Sequence, residues 1–120
     1  MGREIQSYED LEVWQRGMDL AERVYLLTRA FPTDERFGLT PQLRRAAVSI
    51  PSNIAEGWGR GVTNEYLQFL RYARGSLYEV ETQLRIARRN QYLSDEDLRS
   101  ILALTGTLSR MLLVLMRALR

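Results

Sequence analysis

The chain contains no cysteine, no histidine and no lysine. Without cysteine there is no disulfide framework, no thiolate metal site and no sulfur nucleophile. Without histidine the commonest general base and the commonest metal ligand are missing. The Glu-x-x-His pairs with which helical bundles hold two metal ions are missing with them. Most enzyme classes are disfavoured on these grounds, and neither cofactor nor metal is expected. Long apolar runs are also lacking. The longest, residues 111–116, is followed by Arg117 and falls well short of the roughly 20 residues that span a bilayer. Residues 1–10 are polar and acidic, with no apolar run after a basic start, so no signal peptide is read there and a cytoplasmic location is expected. Proline is scarce, at three residues in 120. Pro32 and Pro41 stand where a helix would stop or start, and Pro51 does not.

Every one of the 17 basic residues is therefore arginine. A guanidinium binds phosphate in bidentate geometry and stacks on bases, so such a surface suits nucleic acid. The net charge is only +2, but residues 1–39 carry −3, residues 40–89 carry +4 and residues 90–120 carry +1. This asymmetry points to a basic face. Hydrophobic residues at 45% and charged residues at 27% fit one globular domain over residues 1–120.

Apolar periodicity predicts four helices, at about 8–30, 41–58, 64–90 and 95–119, and no strand. Ser7 with Asp10 reads as a capping box. Thr40-Pro41 reads as a cap followed by proline in the first turn, Gly57, Gly59 and Gly61 read as a break, and Thr63 and Ser94 as further caps. The first helix carries two stripes, Leu11, Trp14, Met18, Ala21 and Tyr25 beside Val13, Leu20, Val24 and Leu27. The third has the cleanest seam, Tyr66, Leu70, Ala73, Leu77, Val80, Leu84 and Ala87, and Gly75 inside this helix suggests close approach of another helix or a ligand. Short connections favour antiparallel neighbours, giving an all-α, up-down-up-down four-helix bundle. The fourth helix is apolar nearly all round in its second half, with Leu104, Met111, Leu113, Val114 and Met116 outside the inward stripe. A helix that is apolar on two sides needs cover on both, so a homo-oligomer is expected, with these residues and part of helix one at the contact.

Three constellations compete for function. Residues 44–60 place Ser49, Pro51, Ser52, Asn53 and Glu56 inside a helical pattern, although an interior proline costs about 3 kcal/mol. They read either as a buried structural polar network or as a pocket that docks a protein partner. On helix three, Arg71, Arg74, Tyr78, Arg85 and Arg88 share a face, with Arg89 beside it and Glu81 placed to pair with Arg85. Guanidinium for phosphate and a tyrosine ring for stacking are what a nucleic-acid surface uses. Arg44, Arg45 and Arg60, at the two ends of helix two, are candidates to extend that surface. The reading favoured by the residues is a non-enzymatic protein that binds RNA or DNA. The alternative is a protein-binding scaffold using residues 49–56 without nucleic acid.

The runs Asp10-Leu11-Glu12-Val13-Trp14-Gln15, Phe31-Pro32 and Phe37-Gly38-Leu39-Thr40 belong to a wider pattern. With them stand the continuous stretch from Gln42 to Gly57, which holds Ser-Ile-Pro-Ser-Asn-Ile-Ala-Glu-Gly, and Gly75-Ser76-Leu77 and Glu81-Thr82-Gln83-Leu84. Together they resemble the bacterial four-helix-bundle proteins encoded by intervening sequences of 23S ribosomal RNA genes. The resemblance extends from about residue 8 to residue 119. It implies a cytoplasmic, ring-like homopentamer. It also implies kinship with the accessory variability determinant proteins of diversity-generating retroelements, which bind nucleic acid and a reverse transcriptase through a basic surface. Proteins of this kind often carry lysine at several of the basic positions, and arginine keeps the charge.

Overall fold

A computed structural model describes residues 4–120. Residues 1–3, part of the segment read as free of a signal peptide, lie outside the described residues. Four helices, α1 (Glu12–Thr28), α2 (Leu39–Gly59), α3 (Thr63–Arg89) and α4 (Asp95–Ala118), are joined by short connections. Short 3-10 turns lie at Tyr8–Asp10 and Thr33–Glu35, and no strand occurs among the described residues. α1 packs on α2 and α4, and α3 packs on α2 and α4, so the four surround one core.

The expected stripes supply that core. Leu43, Ala47, Ile50 and Ile54 of α2 and Leu70, Ala73, Leu77, Val80, Leu84 and Ala87 of α3 are all fully buried. α1 buries Val13, Leu20 and Val24 of one stripe, and Leu11, Trp14 and Ala21 of the other pack half-buried against the core, whereas Met18 and Tyr25 of that second stripe are exposed. α4 turns Ile101, Thr105, Leu108, Leu112 and Met116 inward. Met116, expected at an oligomer contact, is thus a core residue at 2% exposure. α4 is also, by length and composition, apolar enough to cross a membrane, with a mean hydropathy of 1.5. Arg110 and Arg117 bound its longest uninterrupted run, and the value belongs to the most apolar 18-residue stretch of the helix, part of which is buried in the core.

Three helix starts differ from expectation. The capping box of Ser7 and Asp10 forms, but it closes only the 3-10 turn, because Leu11 is extended and α1 starts after it. α2 starts at Leu39, ahead of Thr40. Its first N–H is satisfied by Glu35 Oε1 at 2.9 Å rather than by Thr40, and Pro41 falls in the first turn, where its missing N–H costs nothing. Thr63 lies inside α3 instead of capping it. At the end of α3, Tyr92 N–H bonds to Ala87 O at 2.9 Å and Gln91 N–H to Arg88 O at 2.9 Å, the two bonds of a Schellman motif. The left-handed residue in it is Gln91, at φ 65°, where glycine is usual. Ser94 caps α4 as expected, accepting from Asp97 N–H at 3.0 Å.

Two glycines mark where helices meet. A Cβ at Gly57 would stand 2.6 Å from Phe69 Cβ and 3.3 Å from Tyr66, so α2 continues through Gly57 and packs closely on α3 there instead of breaking. A Cβ at Gly17 would touch Pro51 Cβ at 3.4 Å. Pro51 is buried at this crossing of α1 and α2, and the packing of its ring offsets the hydrogen bond it removes. Gly75, expected at a close approach, has open space around it.

Candidate nucleic-acid interface

The 3.6-residue repeat of α3 places positions 71, 75, 78, 82, 85 and 89 on one outward face. Arg71, Tyr78, Arg85 and Arg89 are exposed, and Arg74 and Arg88 are half-buried. Arg74 Nε donates to Tyr78 Oη at 3.0 Å, and its guanidinium lies 5.4 Å from the Tyr78 ring centroid. The bond from Arg74, and after it one from Ser109 of α4, hold the Tyr78 hydroxyl below its usual pKa. The ring is thereby anchored between α3 and α4 while staying 43% exposed.

The arginines are not equivalent. Arg88 pairs with Asp95 in the first turn of α4, which raises the Arg88 pKa and lowers that of Asp95. Arg85 donates to the backbone carbonyl of Glu81 at 3.4 Å, so the expected side-chain pairing with Glu81 is not formed. Arg71, Arg74, Arg85 and Arg89 have no carboxylate partner among the described residues. Arg85, Arg88 and Arg89 also line an open cavity of about 460 Å³ with Thr82, Ile86 and Leu98, between α3 and α4.

The arginines of α2 do not join this face. Arg44 turns to α1, where its Nε donates to Thr28 Oγ1 at 2.8 Å and its guanidinium lies 4.7 Å from the Tyr25 ring centroid. Arg45 is exposed beside it. Arg60, at the far end of the helix, meets Glu56 at 3.1 Å and Glu65 at 3.8 Å and lies over Phe69. Its charge is largely spent on those two carboxylates.

The polar segment of α2 forms no shared network. Ser49 Oγ donates to Ala46 O at 2.7 Å and Asn53 Nδ2 to Ser49 O at 2.7 Å, both along their own helix. Glu56 faces Arg60 at the surface, and Ser52 is exposed. Side chains that bond back to their own carbonyls satisfy themselves locally, which is why apparent polar intruders sit in a helix without reaching one another. No group of three or more acidic side chains is placed to hold a metal ion among the described residues.

Of the residues expected at an oligomer contact, Val114 is 66% exposed and Met111, Leu104 and Leu113 are half-buried. Met111 and Val114 line an open groove of about 430 Å³ with Leu11, Val13, Leu115 and Ala118, between the start of α1 and the end of α4. Sequence reasoning missed Gly17 and Arg36. The first is visible only when Pro51 is seen opposite it, and the second only when the loop folds back on α2.

A protein of unknown function from the S23 ribosomal protein family of Bacteroides thetaiotaomicron VPI-5482 has a similar crystal structure. Its TM-score is 0.80 at 22% identity, over 88% of this chain and 95% of that one, a likeness that establishes the shared all-α fold. No curated protein matches the chain. Residues 9–114, from the capping turn through most of α4, match the family described as 23S rRNA-intervening sequence protein, and the chain belongs to that family.

Proposed function

We propose that the protein is a non-enzymatic, cytoplasmic accessory protein that binds RNA or DNA on the outer face of α3. The observation that carries this reading is the set of four arginines, Arg71, Arg74, Arg85 and Arg89, that stand without a carboxylate partner along the side of α3 that exposes the Tyr78 ring. Unpaired guanidiniums contact phosphate, and the ring offers a base a stacking surface. Arg88, already paired with Asp95, is a weaker contributor.

The bundle runs up-down-up-down in this reading and assembles into a ring through the apolar groove between α1 and α4. The groove supports assembly, and the family resemblance supports a homopentamer. A ring repeats the α3 face around an axis and strengthens its field. The same resemblance supports a reverse transcriptase as a protein partner. The rival scaffold reading, through residues 49–56, has less support, because Ser49 and Asn53 are satisfied within their own helix.

Fluorescence anisotropy with a labelled structured RNA and a DNA duplex tests the proposal. Binding is expected to fall steeply with salt, since each neutralised phosphate releases counterions. Changing Arg71, Arg74 and Arg85 together to Glu is expected to abolish it. Unchanged affinity in that variant, with assembly intact, would remove α3 from the interface.

A further inference from the structure

We propose that a second site, at the start of α2 on the flank facing α1, binds a phosphate monoester through Arg36, Arg44 and Arg45. An open cavity of about 360 Å³ lies there, lined by the three arginines with Tyr25, Thr40 and Val48. No carboxylate lines it, and none of the three arginines is in an ion pair among the described residues. Glu35, at the foot of the same helix, is engaged elsewhere: Oε1 accepts from Leu39 N–H and Oε2 from the Tyr92 hydroxyl.

Arg44 and Arg36 are positioned by groups that leave their charge intact, and the exposed Arg45 stands between this cavity and a neighbouring one lined by Glu79. Arg44 spends Nε on Thr28 Oγ1 at 2.8 Å and rests on the Tyr25 ring at 4.7 Å, which leaves its two terminal nitrogens for a bidentate contact. Arg36 lies 5.0 Å from the Phe37 ring centroid. An aromatic face fixes a guanidinium without neutralising it. Three cations gathered on one cavity repel one another until an anion enters. A phosphate monoester fits this set best, because it brings close to two negative charges and three acceptor oxygens, whereas a carboxylate or a chain-internal phosphodiester brings one charge. Thr40 adds a hydroxyl donor at the rim, and the first turn of α2 holds no acidic residue.

This inference does not rest on the α3 face. Arg44 faces α1, whereas Tyr78 and Arg88 engage α4, so the site stands even if α3 binds nothing. Two sources share the chemistry: a small free phosphate or nucleotide, and the phosphorylated end of a nucleic-acid strand.

Calorimetric titration of the full chain at low salt tests it, with inorganic phosphate and with two single-stranded DNA oligonucleotides of one sequence, one 5′-phosphorylated and one 5′-hydroxyl. Saturable phosphate binding is expected, weakened about tenfold by the loss of one charge-assisted contact in Arg45→Gln. Arg45 is exposed, so this variant keeps the fold, and Arg44→Gln, which also loses its seat on Tyr25, serves as the second variant. A strand-end site predicts that the 5′-phosphorylated oligonucleotide binds about tenfold tighter than its twin, and that Arg45→Gln erases the difference. A small-phosphate site predicts phosphate binding with both oligonucleotides bound equally. The absence of saturable phosphate binding, or phosphate binding equal in the native chain and Arg45→Gln, would overturn the proposal. The Arg71, Arg74 and Arg85 triple Glu variant is expected to retain phosphate binding, which separates failure of this site from failure of the α3 face.

Discussion

Two glycines in helix interiors should respond to the same substitution with opposite signs. Gly75 lies in the middle of α3, exposed, and a Cβ there would meet nothing within 4 Å. Gly75→Ala gains helix propensity of about 0.5–1 kcal/mol, which for a chain of this size raises the unfolding midpoint by about 2–5 °C. Gly57 would gain as much in isolation, but its Cβ would stand 2.6 Å from Phe69 Cβ and 3.3 Å from Tyr66 O. Neither atom can rotate away, because one is fixed to the α3 backbone and the other belongs to it. Relief requires α2 and α3 to separate by several tenths of an ångström, and forced overpacking of this kind costs about 1–3 kcal/mol. The net expectation for Gly57→Ala is a loss of about 1–2 kcal/mol. Thermal unfolding followed by circular dichroism, at one fixed protein concentration because assembly shifts the midpoint, measures both. Midpoints that move in the same direction would refute the reasoning.

Gln91→Gly should stabilise by about 1 kcal/mol, since the left-handed conformation at φ 65° strains any residue with a Cβ; chemical denaturation reads the gain, and a loss would mean that the Gln91 side chain contributes contacts worth more than the strain. Glu35 bonds to Leu39 N–H and to the Tyr92 hydroxyl, which lower its pKa from the usual 4.5. Its stabilising contribution is therefore full above the unfolded value and lost as pH falls through the folded one. Midpoints measured from pH 7 to pH 3 should drop less in Glu35→Gln than in the native chain, and parallel curves would exclude Glu35 as a source of acid sensitivity. Met111→Glu should give smaller species on light scattering by charging the groove between α1 and α4, while an unchanged mass would take that groove out of the assembly.

The four helices and their inward stripes were legible because the pattern repeats over many residues, as from Leu70 to Ala87 in α3. The ends were less so. α2 is capped by Glu35, four residues upstream and outside the usual cap position, and α3 closes on a glutamine where glycine is the recognisable signal. Gly57 looked like a breaker because the sequence does not say that Phe69 lies against it. The basic face was legible as a spacing of arginines, but its partners were not: Arg88 finds Asp95 across a turn, and Arg60 finds two acids. Arg36 carried no periodic signal, since it lies in the loop before α2, and only folding brings it beside Arg44 and Arg45. The polar residues 49–56 were conspicuous in the sequence, yet they bond along α2 itself.

The positive charge of the α3 face comes wholly from guanidiniums, and this sets how it is governed. An arginine holds its proton far above neutral pH, so the charge offered by Arg71, Arg74, Arg85 and Arg89 is the same at pH 5 as at pH 8. With no lysine in these 120 residues, side-chain acetylation finds no amine there and cannot erase a positive charge. Control of such a surface falls to what competes for it: ionic strength, other polyanions, and the number of copies brought together.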